Sequence, residues 1–208
     1  PRAPERLDRR EFGFMFFDRD YVQRHLGFGE VGQLHSFLQG QVPSHAYYSS
    51  AYYQLPAAAT MEEKKWLGAD VVFDLDADHV KGAETLTYAE MLARIKVELL
   101  RLLDDFLLGD LGLDVSHLKI VFSGGRGYHI HVVDARLATL RSHERREIVD
   151  YIAGTDLNME WVFPERITNV KTFRAGAQES RVRSIPSISS GGWRRRMRDG
   201  IVWLVEEM

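Results

Sequence analysis

The chain has 208 residues, 45% hydrophobic and 27% charged, with a formal net charge of −3 and no cysteine. That length suits one large domain, or one and a half, with a real core. The composition excludes disulfides, Cys-based zinc sites and a globally basic field, so any attraction for nucleic acid must be local. No stretch is long and apolar enough to span a membrane, and the N-terminus is charged rather than signal-like. The absence of cysteine leaves the compartment open with a lean to intracellular, and no membrane partner is expected. The first residue is Pro, and the chain stops soon after a Trp-containing apolar segment; a piece of a longer protein is expected.

Residues 1–10 are Pro- and Arg-rich and read as a frayed lead-in. Glu11–Phe17 and Tyr21–Phe28 read as two strands around the turn Asp18-Arg19-Asp20, a hairpin pattern. Glu30–Leu38 predicts a short helix with Val31, Leu34, Phe37 and Leu38 inward and Gly40 as its stop. Ala46–Leu55, with four tyrosines, predicts a strand bent at Ser49-Ser50. Pro56–Thr60 reads as a linker, and Thr60 caps a short helix expected to run through Trp66 to a stop at Gly68.

Val71–Asp76 has no turn residue and begins with β-formers. Alternation puts Val71, Phe73 and Leu75 on one face and Val72, Asp74 and Asp76 on the other. The Cα atoms of Asp74 and Asp76 are then roughly 6.6 Å apart, so both carboxylates reach one place. Two readings fit. The pair repels itself and calls for a cation between them, with hard oxygen ligands favouring Mg²⁺ or Mn²⁺ and a substrate phosphate as third party. Alternatively, it is a polar strand end running into a solvated Asp-rich turn.

Thr87-Tyr-Ala-Glu90 is a capping box. Leu92, Ile95, Leu99, Leu102, Leu103 and Phe106 recur behind it at helical spacing, to a stop at Gly109. Leu118–Phe122 and Tyr128–Val133 are strands around Ser123-Gly-Gly-Arg126-Gly127. Glycines in that turn permit backbone N–H groups to converge on an anion, Ser123 adds a hydroxyl, and Arg126 adds a fork that matches phosphate oxygens. His129 and His131 share one face of the second strand. The other reading of this stretch is a Gly-rich hairpin turn with a solvated Arg and two half-exposed histidines. A metal–nucleotide site needs both a carboxylate pair and a phosphate cradle, so the two stretches strengthen each other.

Ser142 is expected to cap a helix from His143 to Ala153, with Ile148, Val149 and Ile152 inward and Gly154 as the stop. Trp161–Phe163 reads as a short strand or a turn, and Thr172–Gly192 as a long loop or disordered segment. Trp193–Arg198 is a basic cluster with two readings, a nucleic-acid track or a solvated charged loop, and Ile201–Val205 is a last apolar run. Strands and helices interleave without fixed alternation, so the fold class expected is α+β, with a mixed β-sheet core and flanking helices.

Phe73-Asp74-Leu75-Asp76 followed by Ser123-Gly-Gly-Arg126-Gly-Tyr-His129 resembles motifs I and II of the small, catalytic subunit of archaeal and eukaryotic DNA primases. Arg10-Glu-Phe-Gly-Phe14, Arg24-His-Leu26 and Trp66–His79 also look like that family. The likeness runs from about Arg10 to about Gly154 and is nearest to archaeal forms. It implies an archaeo-eukaryotic primase-like core over residues 1–154, with 155–208 a C-terminal extension of the same domain. It also implies a DNA-directed nucleotidyltransferase that makes short RNA or DNA primers from NTPs or dNTPs on a single-stranded DNA template. By resemblance Asp74 and Asp76 hold Mg²⁺ or Mn²⁺; Ser123, Arg126 and His129 contact the triphosphate; and Arg24 reaches the nucleotide in a looser alignment. The implied partner is a primase large subunit.

Three features depart from the family pattern. No motif after Gly154 matches the one that carries the family's third catalytic Asp, these residues hold no Cys-based zinc element, and residues 1–9 do not carry the helical segment that precedes this position in the family, as expected of a piece of a longer protein. A nucleotide-binding module without catalysis, or a metal-dependent phosphodiesterase, are the alternatives.

Overall fold

The computed structural model describes residues 3–79, 82–173 and 176–208. It divides into two compact units, Pro1–Val97 with Asp114–Arg145, and Glu98–Leu113 with Arg146–Met208.

In the first unit, β1 (Phe12–Met15) and β2 (Gln23–Leu26) form the expected antiparallel hairpin. α1 (Val31–Gln41) follows, and β3 (His45–Tyr48) returns to the other edge of β1, giving the order β2-β1-β3. Phe12, Phe14 and Leu34 are buried, and Phe28, Phe37 and Leu38 pack around them. The Phe14 and Phe37 rings lie 4.7 Å apart. Each fully buried Phe of this kind contributes about 1.5–3 kcal/mol. Val31, expected inward, is exposed, and α1 runs through Gly40 to end at Val42 in the left-handed region. An exposed helical glycine lowers propensity by only about 1 kcal/mol, and the packed Phe37 and Leu38 offset it.

The bend at Ser49-Ser50 does more than kink a strand: it transfers the chain to another sheet. Ser49 Oγ accepts the Glu11 N–H at 3.1 Å and donates to the Ala51 carbonyl at 2.6 Å. β4 (Ala51–Tyr53) then pairs with β5 (Trp66–Ala69). Between them α2 (Met61–Lys64) is one turn long, opened by the Thr60/Glu63 capping box. The expected helix through Trp66 is therefore corrected to a strand. Lys65 leaves helical geometry at φ 52°, and Lys64 Nζ is buried and bonded to the Pro56 carbonyl at 2.6 Å, which ends the helix there.

β6 (Val71–Asp76) has the bounds that its residue pattern predicts. α3 (Tyr88–Arg101) starts at the Thr87 capping box, with Thr87 Oγ1 accepting the Glu90 N–H and Glu90 Oε2 accepting the Thr87 N–H. β7 (Leu118–Phe122) and β8 (Gly127–Val132) join β6 in the order β6-β8-β7. Val71, Ile130 and Val132 are buried on one face of that sheet. α4 (Ala135–Ala138) and the start of α5 (Ser142–Ala153) complete the unit. Ser142 is the first residue of α5 rather than its cap. Arg141 precedes it and donates its N–H to Glu144.

The first ten residues were expected to fray. Among those described, Leu7–Arg9 form a 3₁₀ turn and Arg10 is 2% exposed; residues 1 and 2 lie outside the described residues. A partner 60 residues away, Asp70, holds the Arg10 guanidinium at 2.6 Å, and no local pattern encodes that.

In the second unit the helix passes the expected stop at Gly109 and continues as a π-type stretch, Leu102–Asp110, with Leu102, Phe106 and Leu107 buried. Val149, expected inward, is exposed. α6 (Met159–Val162), capped by Asn158, stands where a strand or turn was expected. The expected loop at Thr172–Gly192 is in large part an antiparallel pair, β9 (Glu165–Phe173) with β10 (Gly176–Arg183); residues 174 and 175 lie outside the described residues. Polar residues satisfy such a ladder as well as apolar ones do, because its hydrogen bonds are made by backbone groups. α7 (Gly192–Glu206) takes in the basic cluster. Arg196 of that cluster is fixed, with Asp110 at 2.6 Å, the Asp105 carbonyl at 2.7 Å and the Phe106 ring 3.9 Å away. The α+β class holds. The strand pairings among the described residues are antiparallel, where a mixed sheet was expected, because paired strands run back along each other rather than through parallel crossovers.

Candidate functional site

The β6-β8 register decides which side chains meet. Asp74 lies opposite His129, Asp76 opposite Gly127, and Val72 opposite His131. On the far side of β8, Val121 lies opposite His129 and Lys119 opposite His131. Alternation therefore gathers Asp74, Asp76, His129, His131 and Lys119 on one sheet face. His129 Nε2 is 3.2 Å from Asp74 Oδ1. Asp74 is 68% exposed and His129 37%, so both are open to a ligand.

The β7–β8 turn lies at the Asp76 end of the sheet, since Gly127 pairs with Asp76. A Cβ on Gly127 would collide with the Leu75 carbonyl oxygen, so no other residue lets the two strands approach this closely. Gly124 has φ 84°, the left-handed conformation that reverses the chain. Ser123 Oγ accepts the N–H groups of Gly125 at 3.3 Å and Gly127 at 3.1 Å. Those two amides, expected to cradle an anion, are thus satisfied internally. The Ser123 hydroxyl keeps its single proton for another acceptor. Tyr88 of α3 donates to the Gly125 carbonyl at 2.9 Å and steadies the turn from outside.

Arg126 turns back towards β6. Its terminal nitrogens meet Asp78 Oδ1 and Oδ2, each at 2.8 Å. Asp78 lies on the 3₁₀ turn Ala77–His79, and its N–H donates to Asp76 Oδ1 at 3.0 Å. The structure thus brings Asp74 to His129, and Asp76 through Asp78 to Arg126. Asp78, in the Asp-rich turn after β6, is thereby the partner of the Arg126 fork.

Arg24 is on β2, in contact with Glu11 at 3.3 Å, and lines a cavity of about 310 Å³ with Glu11, Tyr47 and Tyr48. No described hydrogen bond or ion pair joins Arg24 to Asp74, Asp76 or Arg126. Burial raises the Glu11 pKa, but the His25 N–H, Arg24 and Lys64 outweigh it and hold the carboxyl below its usual value. A second cavity, about 350 Å³, is lined by Tyr47, Tyr48, Lys119, His129 and His131 among others. Burial first, then His129 and Lys119, lower the His131 pKa. That shift favours the neutral imidazole, the poorer partner for an anion.

Among the described residues no group of three or more His, Cys, Asp or Glu is arranged to hold a metal ion. Asp74 and Asp76 are nonetheless hard, exposed oxygen donors on one face. That donor set fits Mg²⁺ or Mn²⁺ if substrate oxygens and water complete the shell. No helix among the described residues is long and apolar enough to cross a membrane.

A family model for the DNA primase small subunit matches residues 73–191, a span that contains both Asp74–Asp76 and Ser123–His129 but not Arg24. The DNA primase small subunit PriS of Methanocella arvoryzae is 47% identical over 212 residues, covering 99% of this chain and 52% of that protein. The one from Methanococcoides burtonii is 42% identical, with 99% and 52% covered. The one from Methanospirillum hungatei is 48% identical over 160 residues, 74% of this chain and 40% of its own length. The chain spans about half the length of the curated relatives it matches.

Proposed function

The chain belongs to the DNA primase small-subunit family, and on that premise we propose that it carries the nucleotidyl-transfer site for primer synthesis on single-stranded DNA. The observation that carries this reading is the register of β6 on β8, which sets Asp74 against His129 and Asp76 against the Ser123–Gly127 turn.

In the reaction a 3′-hydroxyl oxygen attacks the α-phosphorus of an NTP, its proton passes to solvent, the bond to the bridging oxygen breaks, and pyrophosphate leaves. Asp74 and Asp76 hold Mg²⁺ or Mn²⁺, which when bound supplies Lewis-acid stabilisation of charge on the phosphoryl oxygens. Arg126 presents a planar fork to the non-transferred phosphates, where a charge-assisted pair is strongest. His129, its Nε2 3.2 Å from Asp74 Oδ1, donates from its ring to a phosphate oxygen. Ser123 donates its free hydroxyl proton. Catalysis of this kind rests on positioned charge, and Arg126 reaches the phosphates by exchanging its Asp78 partner for them. Arg24 extends the nucleotide contact along β2. A primase large subunit is the proposed partner, and the cytoplasm the proposed compartment.

The test is primer synthesis from NTPs on single-stranded DNA with Mg²⁺ or Mn²⁺, by the intact protein and its Asp74→Ala/Asp76→Ala variant. Full activity in the double variant would sink the mechanism. A second reading, nucleotide binding without catalysis, is favoured by the two-carboxylate donor set. Calorimetric binding of NTP with Mn²⁺ in the absence of any synthesis would select it. Degradation of the template without need of a triphosphate would select a phosphodiesterase.

A further inference from the structure

Arg126 is occupied before any phosphate arrives. Its two terminal nitrogens take the two oxygens of Asp78, each at 2.8 Å. A phosphate offers the same two-oxygen edge. Asp78 and a phosphate therefore compete for one edge of one guanidinium. The pair is also exchangeable: the Arg126 side chain is 49% exposed and that of Asp78 47%, and ion pairs in such settings are weak.

The surroundings add a second constraint. The Asp78 N–H donates to Asp76 Oδ1 at 3.0 Å, and the Ala77 N–H donates to the Arg126 carbonyl at 3.2 Å. These bonds tie the carboxylate face and the phosphate turn into one small assembly. Within it three carboxylates, Asp74, Asp76 and Asp78, face one guanidinium and the His129 imidazole. A triphosphate carries several negative charges and meets a site already negative. A divalent cation at Asp74 and Asp76 cancels that excess of negative charge and leaves Asp78 as the remaining rival for Arg126.

Resting on the reading of Asp74, Asp76 and Arg126 as a nucleotide site, we propose that Asp78 is a competing latch. It holds Arg126 in the nucleotide-free protein, yields it to the triphosphate, and makes triphosphate capture conditional on the divalent cation. Asp78 is then a specificity residue for the metal–triphosphate complex over the bare triphosphate.

The experiment measures ATP binding to the full chain by calorimetry, once with Mn²⁺ and once with a chelator. It uses the wild type, Asp78→Asn, Arg126→Ala and the double variant. Asp78→Asn should tighten metal-free ATP binding by about fivefold, the upper range for an exposed ion pair, and should tighten binding less when Mn²⁺ is present. In the Arg126→Ala background the gain should vanish. Unchanged or weaker binding by Asp78→Asn overturns the latch. So does an equal gain in both backgrounds, which is a general effect of charge. If the wild type fails to bind ATP even with Mn²⁺, the nucleotide-site reading falls and the latch with it. If the wild type binds with Mn²⁺ and Asp78→Asn gains nothing, the latch alone falls. Asn keeps the shape of Asp, and the backbone bond to Asp76 remains. Asp78→Ser, with the same expected sign, carries the test should Asp78→Asn melt early.

Discussion

β6 has aspartates at both ends, and they live in opposite environments. Just ahead of it, Asp70 is 8% exposed, takes Arg10 at 2.6 Å, and accepts a hydrogen bond from the Tyr52 hydroxyl. Arg10 in turn donates to the Ser49 carbonyl at 2.6 Å and to the Glu5 carbonyl at 2.8 Å, with the Tyr52 ring 4.5 Å away. Arg145 donates to the Asp70 carbonyl at 2.9 Å and to the Ala69 carbonyl at 2.8 Å. At the other end Asp74, Asp76 and Asp78 stand in solvent, each with one cation or one N–H nearby. The same residue type is a buried anchor at one end and a solvent-exposed, lightly paired group at the other. Burial makes the difference. A desolvated charge cannot give up its partner, whereas a solvated one loses little by doing so.

The sharpest test of the contrast is Arg10→Ala. It leaves Asp70 buried without its cation, and unfolding by urea should show a loss of about 3–5 kcal/mol. A loss below 1 kcal/mol would mean that the head of β6 is as loose as its tail. Next in size, Asp74→Asn with Asp76→Asn should lower primer synthesis about a hundredfold, the scale of losing a main electrostatic contributor, while the melting temperature stays within about 2 °C. A large fall in melting temperature would make these acids structural. Arg126→Ala should raise the NTP KM about tenfold with a smaller change in kcat, since a charge-assisted contact to bound phosphate is lost. An unchanged KM would remove Arg126 from the site.

Smallest is Tyr52→Phe, at about 1 kcal/mol near neutral pH for the lost bond to Asp70. Its pH signature is more telling. Burial and the Asp70 hydrogen bond push the Tyr52 phenol up to about 12, against 10.0 for an ordinary tyrosine. A group whose pKa is raised on folding contributes stability that is present below its unfolded value and lost as pH climbs through its folded value. The wild type should therefore lose more stability than the variant between pH 10 and 12. Parallel stability curves across that window would contradict the buried setting of Tyr52.

The parts of this molecule that were legible beforehand are those governed by near neighbours. β6, β7 and the Thr87–Glu90 capping box follow from alternation and from a contact three residues long. Both chemical stretches were visible for the same reason, as Asp-x-Asp and as a Gly-rich turn with Arg126 and His129. Misreadings came where local preference met a distant partner. Trp66 left its expected helix because β4 needed a strand beside it. Gly176–Arg183, within the run expected as a loop, became β10 because β9 lies next to it, while residues 184–191 are irregular as expected. Helix signals at Met159–Val162 were hidden in a single turn too short for periodicity to register.

Residue types, their spacing and strand alternation thus determined that Asp74 and Asp76 share a face and that Ser123–Gly127 makes a tight turn. Only the tertiary structure decided the rest. It set Asp74 across from His129, closed Arg126 on Asp78 from 48 residues away, and drew Arg10 from 60 residues away into a buried pair with Asp70. Alternation and capping are geometries of a few consecutive residues. Strand register and long-range ion pairs depend on how separate segments pack, which each segment's own pattern leaves open.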